Sequence, residues 1–175
     1  MKKKVIILLV LIISFATEAQ NSVVKVVDSL LLQGNYQKAL EILDTQEEKT
    51  IANFDEMASI YQSVGNYNEA INFYEKALSI KEIDAIKAKL GKVYSAAGLP
   101  LDAIKIYEEI IQKDSTNLLV ANNLGKLYLS NRQTKKAAKI YQYLKKKDTL
   151  NPNYPYQLGV ALGKIKKFLY LLKPL

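Results

Sequence analysis

From residue 20 to about residue 163 apolar residues recur at intervals of three and four, in blocks separated by glycine or short polar turns. That spacing lays an apolar stripe along one side of a helix, so the chain reads as a series of short amphipathic helices. In one block Phe54, Met57, Ala58 and Tyr61 share a stripe. Gly65-Asn66 then breaks the helix, and Ala70, Ile71, Tyr74, Ala77 and Leu78 resume the stripe on a second helix. Extended along the chain, the pattern predicts helix pairs near 21–46, 51–80, 84–113 and 118–146, then a single helix near 153–163.

The pairs repeat. Leu90-Gly91, Leu124-Gly125 and Leu158-Gly159 are 34 residues apart, and Tyr94, Tyr128 and Leu162 follow each glycine by three. Ala103 with Tyr107 and Ala137 with Tyr141 keep the same period. Upstream the unit is shorter: Gly34-Asn35-Tyr36 and Gly65-Asn66-Tyr67 are 31 apart, and Gly98 follows 33 later. Glycine inside a helix costs about 1 kcal/mol against alanine, so its recurrence calls for a packing reason. The expected reason is close approach of paired helices at Gly91, Gly125 and Gly159 and at Ala70, Ala103 and Ala137, with the tyrosines filling space between one pair and the next.

In these residues the chain resembles the tetratricopeptide repeat family over about Gln20 to Gly163. The resemblance implies an all-α, right-handed superhelix of antiparallel helix pairs, with about four full repeats and a partial fifth. The proline that usually closes each repeat is missing, with Glu82, Ser115 and Thr149 in its place, and the first joint is three residues short. After residue 163 the pattern decays: Phe168 stands where a second helix would begin, Leu171 takes the alanine position and Pro174 would stop the helix. Residues 164–175 thus read as a truncated or atypical helix, explained by a short cap, a docking segment or a chain cut short.

In that family the first helices line a concave groove. Carried over by register, the groove positions here are Asp55 and Ser59, Ala88 and Lys92, Asn122 and Lys126, and Tyr156 and Val160. Lys92, Asn122 and Lys126 together offer an amide and two ammonium groups for a backbone amide and a carboxylate; the alternative is a solvated, unoccupied surface. The family's clamp for chaperone C-terminal carboxylates is not expected, because Val24 and Asp28 occupy its first-repeat positions.

Composition narrows the chemistry. The 175 residues include no His, Cys or Trp, which removes imidazole and thiol catalysis, disulfides and the usual zinc ligand sets. No glycine-framed serine or phosphate-binding glycine loop is present, and Glu47-Glu48 and Glu108-Glu109 read as exposed helix charge. An interaction scaffold without cofactor or metal is expected; an accessory subunit of an envelope enzyme is the weaker reading.

The setting follows from the first residues. Lys2-Lys3-Lys4, the apolar run Val5 to Ile13, and a small-residue stretch ending at Ala19 have the order of a secretory signal peptide. Val5 to Ala16 is shorter than the ~20 residues a membrane-spanning helix needs, and without cysteine no lipid can be attached there. The expectation is a bacterial protein exported to the periplasm or beyond, with no transmembrane span after cleavage, no nucleic-acid partner, and a protein or peptide of the envelope as its ligand.

Charge is unevenly distributed. The formal net charge is +8, yet residues 20–125 carry 10 basic against 15 acidic groups, net −5, and residues 126–175 carry 12 against one, net +11. Lys135, Lys136, Lys139, Lys145, Lys146 and Lys147, continued by Lys164, Lys166 and Lys167, form a candidate basic surface. It reads either as a solvated convex face or as a means of steering an anionic envelope component or acidic protein. Head-to-tail self-association would use the same asymmetry. For the leader, the expected outcome is a mature chain whose first residue is Gln20, checked by N-terminal sequencing of the protein recovered after export.

Overall fold

The computed structural model describes the backbone of residues 23–171 and the side chains of residues 23–167. The expected signal peptide, Met1 to Ala19, and the side chains of Phe168 to Leu175 lie outside the described residues. Nine helices and no strand occur among the described residues. They are α1 (23–32), α2 (Tyr36–Asp44), α3 (Ile51–Ser63), α4 (Tyr67–Ile80), α5 (Asp84–Ala96), α6 (Pro100–Lys113), α7 (Leu118–Ser130), α8 (Thr134–Lys147) and α9 (Asn153–Leu171). From α2 to α9 each helix packs on the next, and Val27 of α1 joins the buried cluster of α2 and α3, giving an all-α solenoid of helix pairs.

Local chemistry sets the boundaries. Thr50 and Asn53 cap the start of α3 reciprocally: the Thr50 hydroxyl accepts from the Asn53 amide at 3.3 Å, and the Thr50 amide donates to Asn53 Oδ1 at 2.9 Å. Asn66 and Asn117 accept from the first turns of α4 and α7, and Pro100 opens α6 where no amide hydrogen is needed.

All four turns within pairs close in one way. The amides of Asn35, Asn66, Leu99 and Gln133 donate to the carbonyls of Leu30, Tyr61, Tyr94 and Tyr128, five residues back. This closure needs a left-handed residue just before the donor, and Gly34, Gly65 and Gly98 supply it with φ of 73°, 78° and 77°. In the fourth turn Arg132 holds φ 60°, a conformation disfavoured for a residue with a Cβ.

The fifth unit departs from the sequence expectation. A helix ending near 163 was predicted, whereas α9 runs unbroken for 19 residues to Leu171. Lys166 stands where Gly98 and Arg132 make their turns, and no left-handed residue interrupts the helix.

The core is a ladder of tyrosines. Tyr74, Tyr107 and Tyr141, from α4, α6 and α8, are fully buried at 1%, 2% and 0% exposure. A Cβ placed on Gly91 would lie 2.6 Å from Tyr107 Cε1, and one on Gly125 would lie 2.9 Å from Tyr141 Cζ. These rings therefore fill space inside a pair, against the first helix, rather than between pairs as their spacing had suggested. Two other tyrosines do bridge pairs: Tyr94 on α5 donates to Glu75 on α4 at 2.9 Å, and Tyr128 on α7 donates to Glu108 on α6. Burial and the Glu75 charge push the Tyr94 hydroxyl up to about 12.

Gly159 corrects the third expected close contact, because a Cβ there meets nothing within 4 Å among the described residues. Among the described residues no second helix follows α9 to deliver a tyrosine. Two substitutions of one type are therefore expected to act oppositely. Gly125→Ala drives a methyl into the Tyr141 ring and lowers stability by about 1–3 kcal/mol. Gly159→Ala removes a flexible residue from an open helix surface and raises stability by about 0.5–1 kcal/mol. Urea unfolding followed by circular dichroism checks both signs.

Candidate functional site

The turn residues Gly34, Gly65, Gly98 and Arg132 fix a common register for the first helices of the pairs. In that register Asp28, Ser59, Lys92, Lys126 and Val160 form one column across α1, α3, α5, α7 and α9. One helical turn further on, Leu32, Ser63, Ala96, Ser130 and Lys164 form a second. Both columns open into cavities. Between α1 and α3 a cavity of about 550 Å³ is lined by Asp28, Leu31, Leu32, Tyr36, Glu56 and Ser59, among others. Between α5 and α7 another, of about 460 Å³, takes in Lys92, Ser95, Tyr107, Asn123, Lys126 and Ser130.

Lys92 and Lys126 thus face one cavity, and neither makes an ion pair among the described residues. Other groove candidates are engaged within the chain. Asp55 accepts from Lys89 Nζ through both oxygens at 2.7 and 2.8 Å, tying α3 to α5. Ser59 donates to the Asp55 carbonyl at 2.8 Å and lies 3.2 Å from the Tyr74 hydroxyl. Ala88 and Val160 pack against the core, and the Ala88 carbonyl accepts from Tyr107 at 3.3 Å. Asn122 is partly buried and its Oδ1 has no hydrogen-bond partner among the described residues, whereas Tyr156 is 67% exposed.

Sequence reasoning missed Ser95, Asn123 and Ser130 in the α5–α7 cavity, and Leu32, Glu56 and Ser63 in the α1–α3 cavity. Ser63 and Ser130 lie four residues beyond Ser59 and Lys126, so one further helical turn along the same face would have found them. Glu56 carries a different signal. Burial, then the charges of Asp28 and Asp55, raise its carboxyl above the ordinary value, while Lys89 acts the other way.

The basic surface divides as well. Lys135, Lys136, Lys139, Lys145, Lys146 and Lys147 all lie exposed on α8. Lys136 is not a free cation: it pairs with Glu108 at 2.9 Å and lies 5.1 Å from the Tyr128 ring centroid. Lys147 lies 5.8 Å from the Tyr143 ring centroid. Lys135 and Lys136 join Arg132 and Lys164 around Leu129 and Ile165 at a cavity of about 730 Å³.

Hydrogen bonds from Tyr128 and Lys136 hold the Glu108 carboxyl below its ordinary value of 4.5, against a smaller opposing effect of burial. A carboxyl whose value is lowered by folding contributes stability above its unfolded value and loses it as pH falls through the folded one. Glu108→Gln is therefore expected to be less stable than wild type near pH 6, with the gap closing as pH drops below the ordinary glutamate range. Thermal unfolding of both proteins across that range checks it.

A tetratricopeptide repeat family model matches residues 54–84, which span α3 and α4. Among curated proteins no relative matches the sequence. Solved structures share the fold at low identity. A MamA double mutant from RS-1 superposes with a TM-score of 0.70 at 18% identity, covering 85% of this chain and 92% of that one. YrrB, described as a TPR protein with an unusual peptide-binding site, gives 0.69 at 16% identity, with 82% of this chain and 76% of YrrB covered. The C-terminal part of a TPR protein from Cytophaga hutchinsonii gives 0.68 at 21%, with 83% of this chain and 59% of that one covered. Residues 54–84 carry a tetratricopeptide repeat, and the helix pairs on either side continue it into the solenoid fold of tetratricopeptide-repeat proteins.

Proposed function

We propose that this protein is a non-enzymatic scaffold that holds an extended peptide or a helix of a bacterial envelope protein in the groove lined by its first helices. The observation that carries the reading is the column Asp28, Ser59, Lys92 and Lys126, whose members open into cavities of about 550 and 460 Å³ on successive first helices. Cavities of that size with a few polar groups and apolar walls suit side chains of a bound segment. The peptide-binding site attributed to YrrB supports the same use of this fold. The envelope setting rests on the leader sequence, and no helix among the described residues is long and apolar enough to cross a membrane.

A second reading places binding at the basic end. It is favoured by the cavity of about 730 Å³ that Arg132, Lys135, Lys136 and Lys164 surround, and by the left-handed backbone that Arg132 holds at its rim. An anionic envelope component would be its ligand, and salt would abolish the binding.

Capture from envelope extract on the immobilised mature chain separates the two. The expected outcome is one or a few proteins retained through a high-salt wash and lost with Lys92→Glu plus Lys126→Glu, with the circular dichroism of that variant unchanged. A broad anionic set that washes off with salt and ignores the double change would move function to the basic end.

A further inference from the structure

The two groove cavities differ in sign. At the α1–α3 end Asp28 and Glu56 sit beside Leu31, Leu32 and Tyr36, with Leu32 90% exposed. At the α5–α7 end Lys92 and Lys126 sit beside Ser95, Asn123 and Ser130. Between them the Asp55–Lys89 pair spans α3 and α5 and cancels its own charge. Along the first helices the surface therefore runs from acidic and apolar, through neutral, to basic and polar. Lys89 offsets part of the repulsion on Glu56, yet Asp28, Glu56, Lys92 and Lys126 make no ion pair among the described residues.

We propose, building on the groove reading above, that the groove takes a bipolar peptide in one orientation, with a basic, apolar-flanked segment at Asp28 and Glu56 and an acidic segment at Lys92 and Lys126. A reversed ligand would put like charges together at both ends and leave the apolar Leu31, Leu32 and Tyr36 against a carboxylate. Such repulsive placement discriminates between orientations more sharply than attraction alone. Glu56 is suited to this role because it is partly buried and already opposed by Asp28 and Asp55, so an arriving ammonium or guanidinium relieves a repulsion present in the free protein. Leu32 and Tyr36 offer surface for the methylene stem of a Lys or Arg. On the other side, the Ser95 hydroxyl and the Asn123 amide give a carboxylate hydrogen-bond donors in addition to the two ammonium groups.

The test uses the full mature chain and synthetic peptides carrying a Lys-rich apolar block and a Glu-rich block joined by a neutral linker of varied length. A benzophenone is placed on one block or the other, and each peptide is also made with the blocks exchanged between its N- and C-termini. The expected result is that crosslinks follow charge and not chain direction: the basic block labels residues near Leu32, Tyr36 and Ser63, and the acidic block labels residues near Lys92 and Ser130. Lys92→Glu with Lys126→Glu weakens binding of the bipolar peptide by about tenfold or more and abolishes the labelling preference. Asp28→Asn with Glu56→Gln reduces labelling by the basic block while the acidic block still marks Lys92 and Ser130.

Binding in the groove with no preference between blocks overturns the polarity and leaves the groove reading standing. Crosslinks confined to α2, α4, α6 and α8 overturn both. Failure of every linker length to bind, with circular dichroism showing an intact helical stack, overturns the polarity as well.

Discussion

The stack depends on one contact made repeatedly, a buried tyrosine ring against the smallest available backbone. Tyr107 lies over Gly91 and Tyr141 over Gly125, and Ala58 holds the equivalent position in the pair that contains Tyr74. A buried aromatic ring supplies 150–250 Å² of contact area at about the cost of fixing two side-chain torsions. The glycine gives up helix propensity of about 1 kcal/mol to let it in. Each ring is held within its own pair, and neighbouring pairs are joined by apolar side chains that form continuous core clusters across them, together with the hydrogen bonds from Tyr94 to Glu75 and from Tyr128 to Glu108. That division of labour suits a repeat protein, in which each unit interacts chiefly with its neighbours.

The same contact sets which side of each first helix faces away from its partner. Burying the stripe between first and second helices turns the opposite side of each first helix outward, where Lys92, Lys126 and Tyr156 stand exposed, whereas Asp55 is paired with Lys89 and Ala88 and Val160 pack against the core. The chemistry of the exposed positions is free to vary. Here the variation is ordered: carboxylates near α1, a closed ion pair between α3 and α5, ammonium groups near α5 and α7. Isolated exposed ion pairs contribute little to stability, about 0–1 kcal/mol. The Asp55–Lys89 pair therefore matters less as a staple than as the neutral segment that separates two fields of opposite sign.

Much of this was legible in the chain. Helix boundaries followed from the glycine stops at Gly34, Gly65 and Gly98 and from the apolar spacing between them, since these act within a few residues of themselves. The fold followed from the 34-residue register of Leu-Gly, Tyr and Ala. Four points were not legible. Tyr107 and Tyr141 pack inside pairs although their spacing resembled that of Tyr94 and Tyr128, which bridge pairs. Asp55 looked available for a ligand and is held by Lys89, 34 residues away. Lys136 looked like part of a free basic face and is paired with Glu108. The last helix continues through Lys166, where the register had placed a turn.

What the sequence by itself determined is the repeat: the periodicity of apolar residues, the left-handed stops and the glycines are local signals, and local signals suffice to specify helix pairs of fixed length. What only the tertiary structure decided is which polar groups remain unpaired once the pairs are stacked. That depends on whether side chains about one repeat apart come within hydrogen-bonding distance, as Lys89 does with Asp55 and Lys136 with Glu108. Such distances are set by how neighbouring repeats lean on each other, and the period of a repeat carries no information about that angle.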